Sequence, residues 1–315
     1  MSVLGNVRRR IFGITEPRKV FDMPGFAPGA WGQFSPVLES LAMGYNTTLE
    51  NSSLDVLIPK LEAVDPVLHG FAYEGAAMGL GVLDVIAPGR HRASAFASGA
   101  GRHHMATVYV GVGLALARLR RKPERYLNQF DPVLGWTVVD GYGFHEGFFA
   151  RRRSIADQRQ PTHLSSDGRE LYDQGLGRSL WFSTGANVTL VEEAISRFAA
   201  NRQVNLWTGA AMACSFAGGA DRAGLERLRQ AAGVHGRRLA WGAAAAAWTR
   251  GLARNPAPHT DLACDVLGEL SSSDAALVLE QARHELAWSA TSTSYRAWRE
   301  ICIPELLAGT SGRTA

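Results

Sequence analysis

The stretch FAYEGAAMGLGVLD, Phe71 to Asp84, places an aromatic residue just ahead of a glycine and then opens a helix-like run of small and apolar side chains. The same phrase returns five times. It reads YVGVGLALARL (Tyr109 to Leu119), VVDGYGFHEGFF (Val138 to Phe149) and YDQGLGRSLWF (Tyr172 to Phe182), then LWTGAAMACSFAGG (Leu206 to Gly219) and AWGAAAAAWTRGL (Ala240 to Leu252). Gly75, Gly111, Gly143, Gly175, Gly209 and Gly242 mark the six copies at intervals of 36, 32, 32, 34 and 33 residues. That is the period of a helix–turn–helix unit.

Between the landmarks lies a second amphipathic stretch. Leu190, Ala194, Ile195 and Phe198 keep helical spacing, as do Leu225, Leu228 and Ala232. Asp221 is placed to cap the helix that begins at RAGLERL, Gly233 to stop it, and Ser273-Asp274 to open the next. Strand-like alternation is confined to TVYVGV and WTVV, both inside the recurring phrases. The expected fold is all-α: a helical hairpin repeat of about 33 residues, as an open solenoid or a closed α/α toroid. Residues 1–60 are expected to be an irregular N-terminal segment with one helix near Ser35 to Tyr45. Residues 61–308 are expected to form a single helical repeat domain, and residues 309–315 a loose tail.

The 315 residues hold 33 Lys+Arg against 29 Asp+Glu, and hydrophobic residues make up 46%. A chain this apolar is ample for a core, and charged residues at 20% exclude general disorder. Basic clusters (Arg8 to Arg10, Arg118 to Arg125, Arg151 to Arg153) lack interleaved aromatics, so a solvated face or an acidic partner fits them better than nucleic acid. Three scattered cysteines, none in a CxxC, support neither a disulfide framework nor a zinc knuckle. With no apolar leader and no run long enough to span a bilayer, the expected location is the cytoplasm.

Familiar enzyme signatures are missing: no GxSxG elbow, Walker loop, Rossmann glycine fingerprint or HExxH. No cofactor and no metal are therefore expected, and adjacent His103 and His104 should point apart. Acid–base chemistry is what remains. Glu74 and Asp84 are the charged residues between Pro66 and Pro88, so a desolvated Glu74 would hold its proton more tightly. Asp140, Tyr142, His145 and Glu146 lie within seven residues, with Tyr142, Glu146 and Phe149 on one helical stripe. The candidate catalytic residues are Glu74, Asp140, Tyr142 and Glu146. The candidate substrate-binding residues are Phe71, Tyr73, Phe149, Asp173, Arg178, Trp181, Trp207 and Trp241, of which Phe71, Tyr142, Phe149 and the three tryptophans would wall an elongated apolar pocket. Each has a plain structural alternative: a core carboxylate tied to an arginine for Glu74, a cross-link between repeats for Asp173 and Arg178. The small residues either leave a tunnel or are consumed by tight helix packing.

Taken together and in order, GFAYEGAAM, GVGLALARL, VDGYGFHEGFF, DQGLGRSLWF, VNLWTGAAMACSFAGG and HTDLAC resemble the UnbL family over about Gly70 to Glu300. That bacterial family accompanies the iterative polyketide synthase of enediyne biosynthesis. The resemblance implies a natural-product cassette with a polyketide synthase, a thioesterase and a membrane companion, and an apolar polyene as substrate; it carries no catalytic residues with it. The chain itself would bind or convert the polyene. One alternative is a cofactor-free, acid-initiated cyclase or isomerase of an isoprenoid or other polyene, although the paired aspartates of terpene cyclases are missing. The other is a non-catalytic helical scaffold for partner proteins.

Overall fold

All six landmark glycines fall inside long helices, at the points where neighbouring backbones touch. The computed structural model describes residues 3–288 and 295–311 and is all-helical, with no strand among the described residues. The helices are α1 (Val3–Phe12), α2 (Ala30–Glu50), α3 (Leu54–Glu62), α4 (His69–Ile86), α5 (Arg92–Ser98), α6 (Met105–Arg118), α7 (Thr137–Phe149) and α8 (Ser166–Ser183). They continue with α9 (Val188–Ser196), α10 (Ala200–Ala217), α11 (Arg222–Ala232), α12 (Gly236–Ala253), α13 (Pro258–Gly268), α14 (Ser272–Trp288) and α15 (Tyr295–Ser311).

The longer helices form a row: α2 packs on α4, α4 on α6, α6 on α7, α7 on α8, α8 on α10, α10 on α12 and α12 on α14. The contacts advance in the same direction along both members of a pair. Leu41 meets Gly75 and Thr48 meets Gly79; Tyr172 meets Gly143 and Ser179 meets Gly147. The helices of these two pairs therefore run parallel, and the shorter helices and 3-10 turns bring the chain back. The row also curls. Phe71 of α4 meets Phe216 of α10 with ring centroids 5.1 Å apart, and Arg250 and Asn255, at the end of α12, donate to the Val67 and Pro66 carbonyls just before α4.

A Cβ at Gly75 would overlap the Leu41 carbonyl, one at Gly111 the Glu74 carbonyl, one at Gly175 the Asp140 carbonyl and one at Gly209 the Gln174 carbonyl. Glycine costs roughly 1 kcal/mol per interior helical position relative to alanine, and here it is needed for contact between backbones rather than for mobility. Of the two uses open to the small residues, packing takes most of the room. Helix punctuation follows the sequence: Asp221 Oδ1 accepts from the Gly224 amide at 2.8 Å, and Gly233 ends α11 with φ of 51°. The strand-like TVYVGV is helical within α6, and WTVV runs from a 3-10 turn ending at Trp136 into α7, their β-branched side chains buried between neighbours.

Residues 1–60, expected to be irregular apart from one helix, contain α1, the 21-residue α2 and the start of α3. α2 stands outside the six quoted phrases, yet it opens on Trp31-Gly32, meets α4 at Gly44, and as the outermost member of the row buries Phe34, Leu41 and Tyr45 against it. At the other end α15 continues to Ser311, beyond the point where a loose tail was expected, and residues 312–315 lie outside the described residues. No helix among the described residues is long and apolar enough to cross a membrane.

Candidate functional site

Helices α4, α6, α7, α8, α10, α12 and α15 enclose a cavity of about 60 Å³. Its walls are mainly apolar, with Phe71, Phe182, Phe216, Trp248 and Trp298 the bulkiest of them. Space of this size takes a few waters or a handful of heavy atoms. Against that apolar lining stand Asp140, Arg178 and Tyr295.

The polar group is aimed by the packing that brings the backbones together. Glu74, Asp140 and Gln174 each directly precede a crossing glycine, Gly75, Gly141 and Gly175, on α4, α7 and α8. Asp140 is 1% exposed; its Oδ1 accepts from Arg178 Nη1, and its Oδ2 from Gln174 Nε2 at 2.7 Å. Gln174 Nε2 also donates to the Tyr295 hydroxyl at 3.3 Å, while Gln174 Oε1 is buried with no hydrogen-bond partner among the described residues. The Arg178 guanidinium lies over the Phe144 ring, 5.2 Å from its centroid.

Glu74 is 2% exposed, and its carboxyl makes no hydrogen bond among the described residues. Burial pushes its pKa up to about 7, with Arg178 pulling down and Asp140 pushing further up. A buried acid that is half protonated near neutrality has the proton affinity of a general acid. Glu74 is not itself a cavity wall, however; Phe71, one turn earlier on α4, is. With Glu74 protonated, the ionised groups of the cluster are Asp140 and Arg178, which cancel. Burial raises the Tyr295 hydroxyl far above its usual range, so it acts as a neutral hydrogen-bonding group.

The other sequence candidates lie elsewhere. Glu146 pairs with Arg153 rather than with Tyr142. Tyr142, Glu146 and the 42%-exposed Phe149 line a cleft whose rim carries Arg118, Arg120, Arg151, Arg152, Arg153 and Arg159. His145 lines the same cleft, and burial drives its pKa down to about 3, so it stays neutral. Asp173 and Arg178 do not meet: Asp173 accepts two hydrogen bonds from Arg202 and one from Gln160, while Arg178 turns to Asp140.

The expected aromatic lining is corrected in the same way. Trp181, Trp207 and Trp241 are not walls of the central cavity but core side chains; Trp181 Nε1 donates to the Gly218 carbonyl, and Trp241 packs edge-on against Tyr295 and Trp298. Tyr73 stacks on His104 and donates to Glu62, not to Glu74.

Of the candidates, Phe71, Asp140 and Arg178 are brought together at the cavity, with Glu74 behind them. Gln174, Tyr295, Trp248, Phe216 and Trp298 were missed. Gln174 carried a usable signal, since it occupies the pre-glycine position that Glu74 and Asp140 also hold. Tyr295 and Trp298 carried none, because α15 lies outside the recurring phrase.

A family described as protein of unknown function (DUF1702) matches residues 3–304. No curated protein and no solved structure matches the chain.

Proposed function

This chain belongs to the DUF1702 family, and from that premise we propose that it binds a largely apolar small molecule in the cavity between α4, α6, α7, α8, α10, α12 and α15. The observation that carries the reading is an apolar enclosure with one buried ion pair, Asp140–Arg178, in its wall. Ligand sites typically combine apolar walls with a few convergent polar groups. A volume of about 60 Å³ admits one end of a long chain, not its whole length. The bound end carries a polar group that faces Arg178 and Tyr295.

The resemblance of the ordered phrases to the UnbL family supports placing this binding in an enediyne-type polyketide cassette. There the occupant is a linear polyene, and the polyketide synthase, thioesterase and membrane companion are the working partners. We also read the row of helices as repeats of about 33 residues that close on themselves, which the contacts from α10 and α12 back to α4 support. The direct test is extraction of purified protein with organic solvent. Wild type should yield a stoichiometric conjugated molecule, and Ala246→Phe, which fills the cavity from α12, should yield none while keeping its helical content. A clean extract from protein made beside an active cassette contradicts the reading.

One observation favours a second reading, acid-initiated isomerisation or cyclisation: the pKa of about 7 at Glu74. In that case Glu74→Gln lowers turnover roughly 100-fold or more with binding retained, and unchanged product formation removes it.

A further inference from the structure

A different cluster stands where α3, α4 and the turn before α6 meet. His104 is 6% exposed, and its ring makes no hydrogen bond among the described residues. The ring is held by stacking on Tyr73, with centroids 4.0 Å apart and planes 21° from parallel. His69, the first residue of α4, donates from Nε2 to the Val64 carbonyl oxygen at 3.0 Å. That bond leaves Nδ1 with its lone pair, 3.5 Å from Glu62 Oε2 at the end of α3. The Tyr73 hydroxyl donates to the other Glu62 oxygen, Oε1. One potential ligand atom from each of Glu62, His69 and His104 lies within 4.8 Å of the other two.

We propose that Glu62, His69 and His104 form a binding site for a first-row divalent metal ion of the zinc class, with a coordination position open to solvent. Two imidazoles and one carboxylate are a donor set suited to such ions, and three protein ligands leave room for water or a substrate oxygen. Metal-binding histidines commonly donate their second N–H to a carbonyl or carboxylate, which fixes the tautomer; His69 already makes that bond. Tyr73 orients two ligands at once, His104 with its ring and Glu62 with its hydroxyl.

Ligand atoms around a tetrahedral zinc ion sit about 3.3 Å apart, so the groups, now within 4.8 Å of one another, must draw in by up to about 1.5 Å. The Glu62 side chain is 48% exposed and terminates its helix, so it has the freedom to do so. The site neighbours the cavity wall, since Phe71 follows His69 by two residues and the Thr107 hydroxyl donates to the His104 carbonyl. It shares no ligand with the Asp140–Arg178 group and stands independently of the function proposed for that group.

The test uses the full chain without a histidine tag, stripped with chelator and titrated with Zn²⁺ by calorimetry and with Co²⁺ by absorption. The expected result is one ion per chain and the intense visible bands of four-coordinate cobalt. Glu62→Gln and His69→Gln should each weaken binding about 100-fold with the circular dichroism unchanged. Tyr73→Phe, which keeps the stack and loses the hydroxyl, should weaken it about 10-fold. Absence of stoichiometric binding by wild type overturns the proposal, as does a Glu62→Gln/His69→Gln double variant that binds as tightly as wild type.

Discussion

Asp140 and Arg178 are nearly withdrawn from water, so each depends on the other. Removing one partner of a buried ion pair costs about 3–5 kcal/mol, because the charge left behind has no compensation. Arg178→Met should therefore destabilise strongly in urea titrations, and Asp140→Leu/Arg178→Met should recover most of the loss. A double variant destabilised by the sum of the two single effects would show that the pair is not coupled. Glu74 makes a prediction of opposite character. Its carboxyl ionises near 4.5 in an unfolded chain and is pushed up to about 7 by burial in the folded one. Between those values the folded state binds more protons than the unfolded, so stability falls as pH rises through that window. Glu74→Gln removes this loss and should melt progressively higher than wild type from pH 5 to pH 7.5. Taking the difference from wild type cancels the opposing effect of His145, which loses stability for the fold as pH falls below its ordinary value of 6.5. A melting difference that does not change with pH would mean that Glu74 stays ionised.

At the scale of the element, the glycines carry the account. Gly209→Ala drives a methyl group into the Gln174 carbonyl and should cost at least about 1–3 kcal/mol, as overpacking does. Gly251→Ala, on α12 with nothing within 4 Å of the new Cβ, should instead stabilise by about 0.5–1 kcal/mol. Chemical denaturation of the two variants checks the contrast, and equal effects would contradict the crossing-point reading. This contrast also marks what was legible in the sequence. The spacing of Gly75 to Gly242 located six long helices, and the carboxylates Glu74 and Asp140 stood out from their apolar surroundings as part of the polar cluster. It did not reveal how the room is used: the same small residues suit a tunnel or a backbone contact, and the difference lies in the neighbouring helix. Tyr142, Glu146 and Phe149 illustrate the same limit. Helical spacing put them on one stripe correctly, yet the side of α7 that faces the cavity is set by α8, which draws Asp140 inward to Arg178 and leaves Glu146 to Arg153.

For the molecule as a whole, the fold assembles one polar pair and one apolar enclosure from segments more than two hundred residues apart, Phe71 on α4 and Trp298 on α15 among them. Trp248 and Trp298 stand in the cavity wall, while the fully buried Trp241 packs behind Trp298. A conjugated polyene entering the cavity lies against two indoles and quenches their fluorescence by energy transfer. Titration of wild type and Ala246→Phe with a linear conjugated polyene carboxylate, followed by tryptophan emission, tests the central claim most directly. The account predicts saturable quenching at one molecule per chain in wild type and its loss in the filled variant. Quenching that never saturates, or that saturates equally in both proteins, would contradict it.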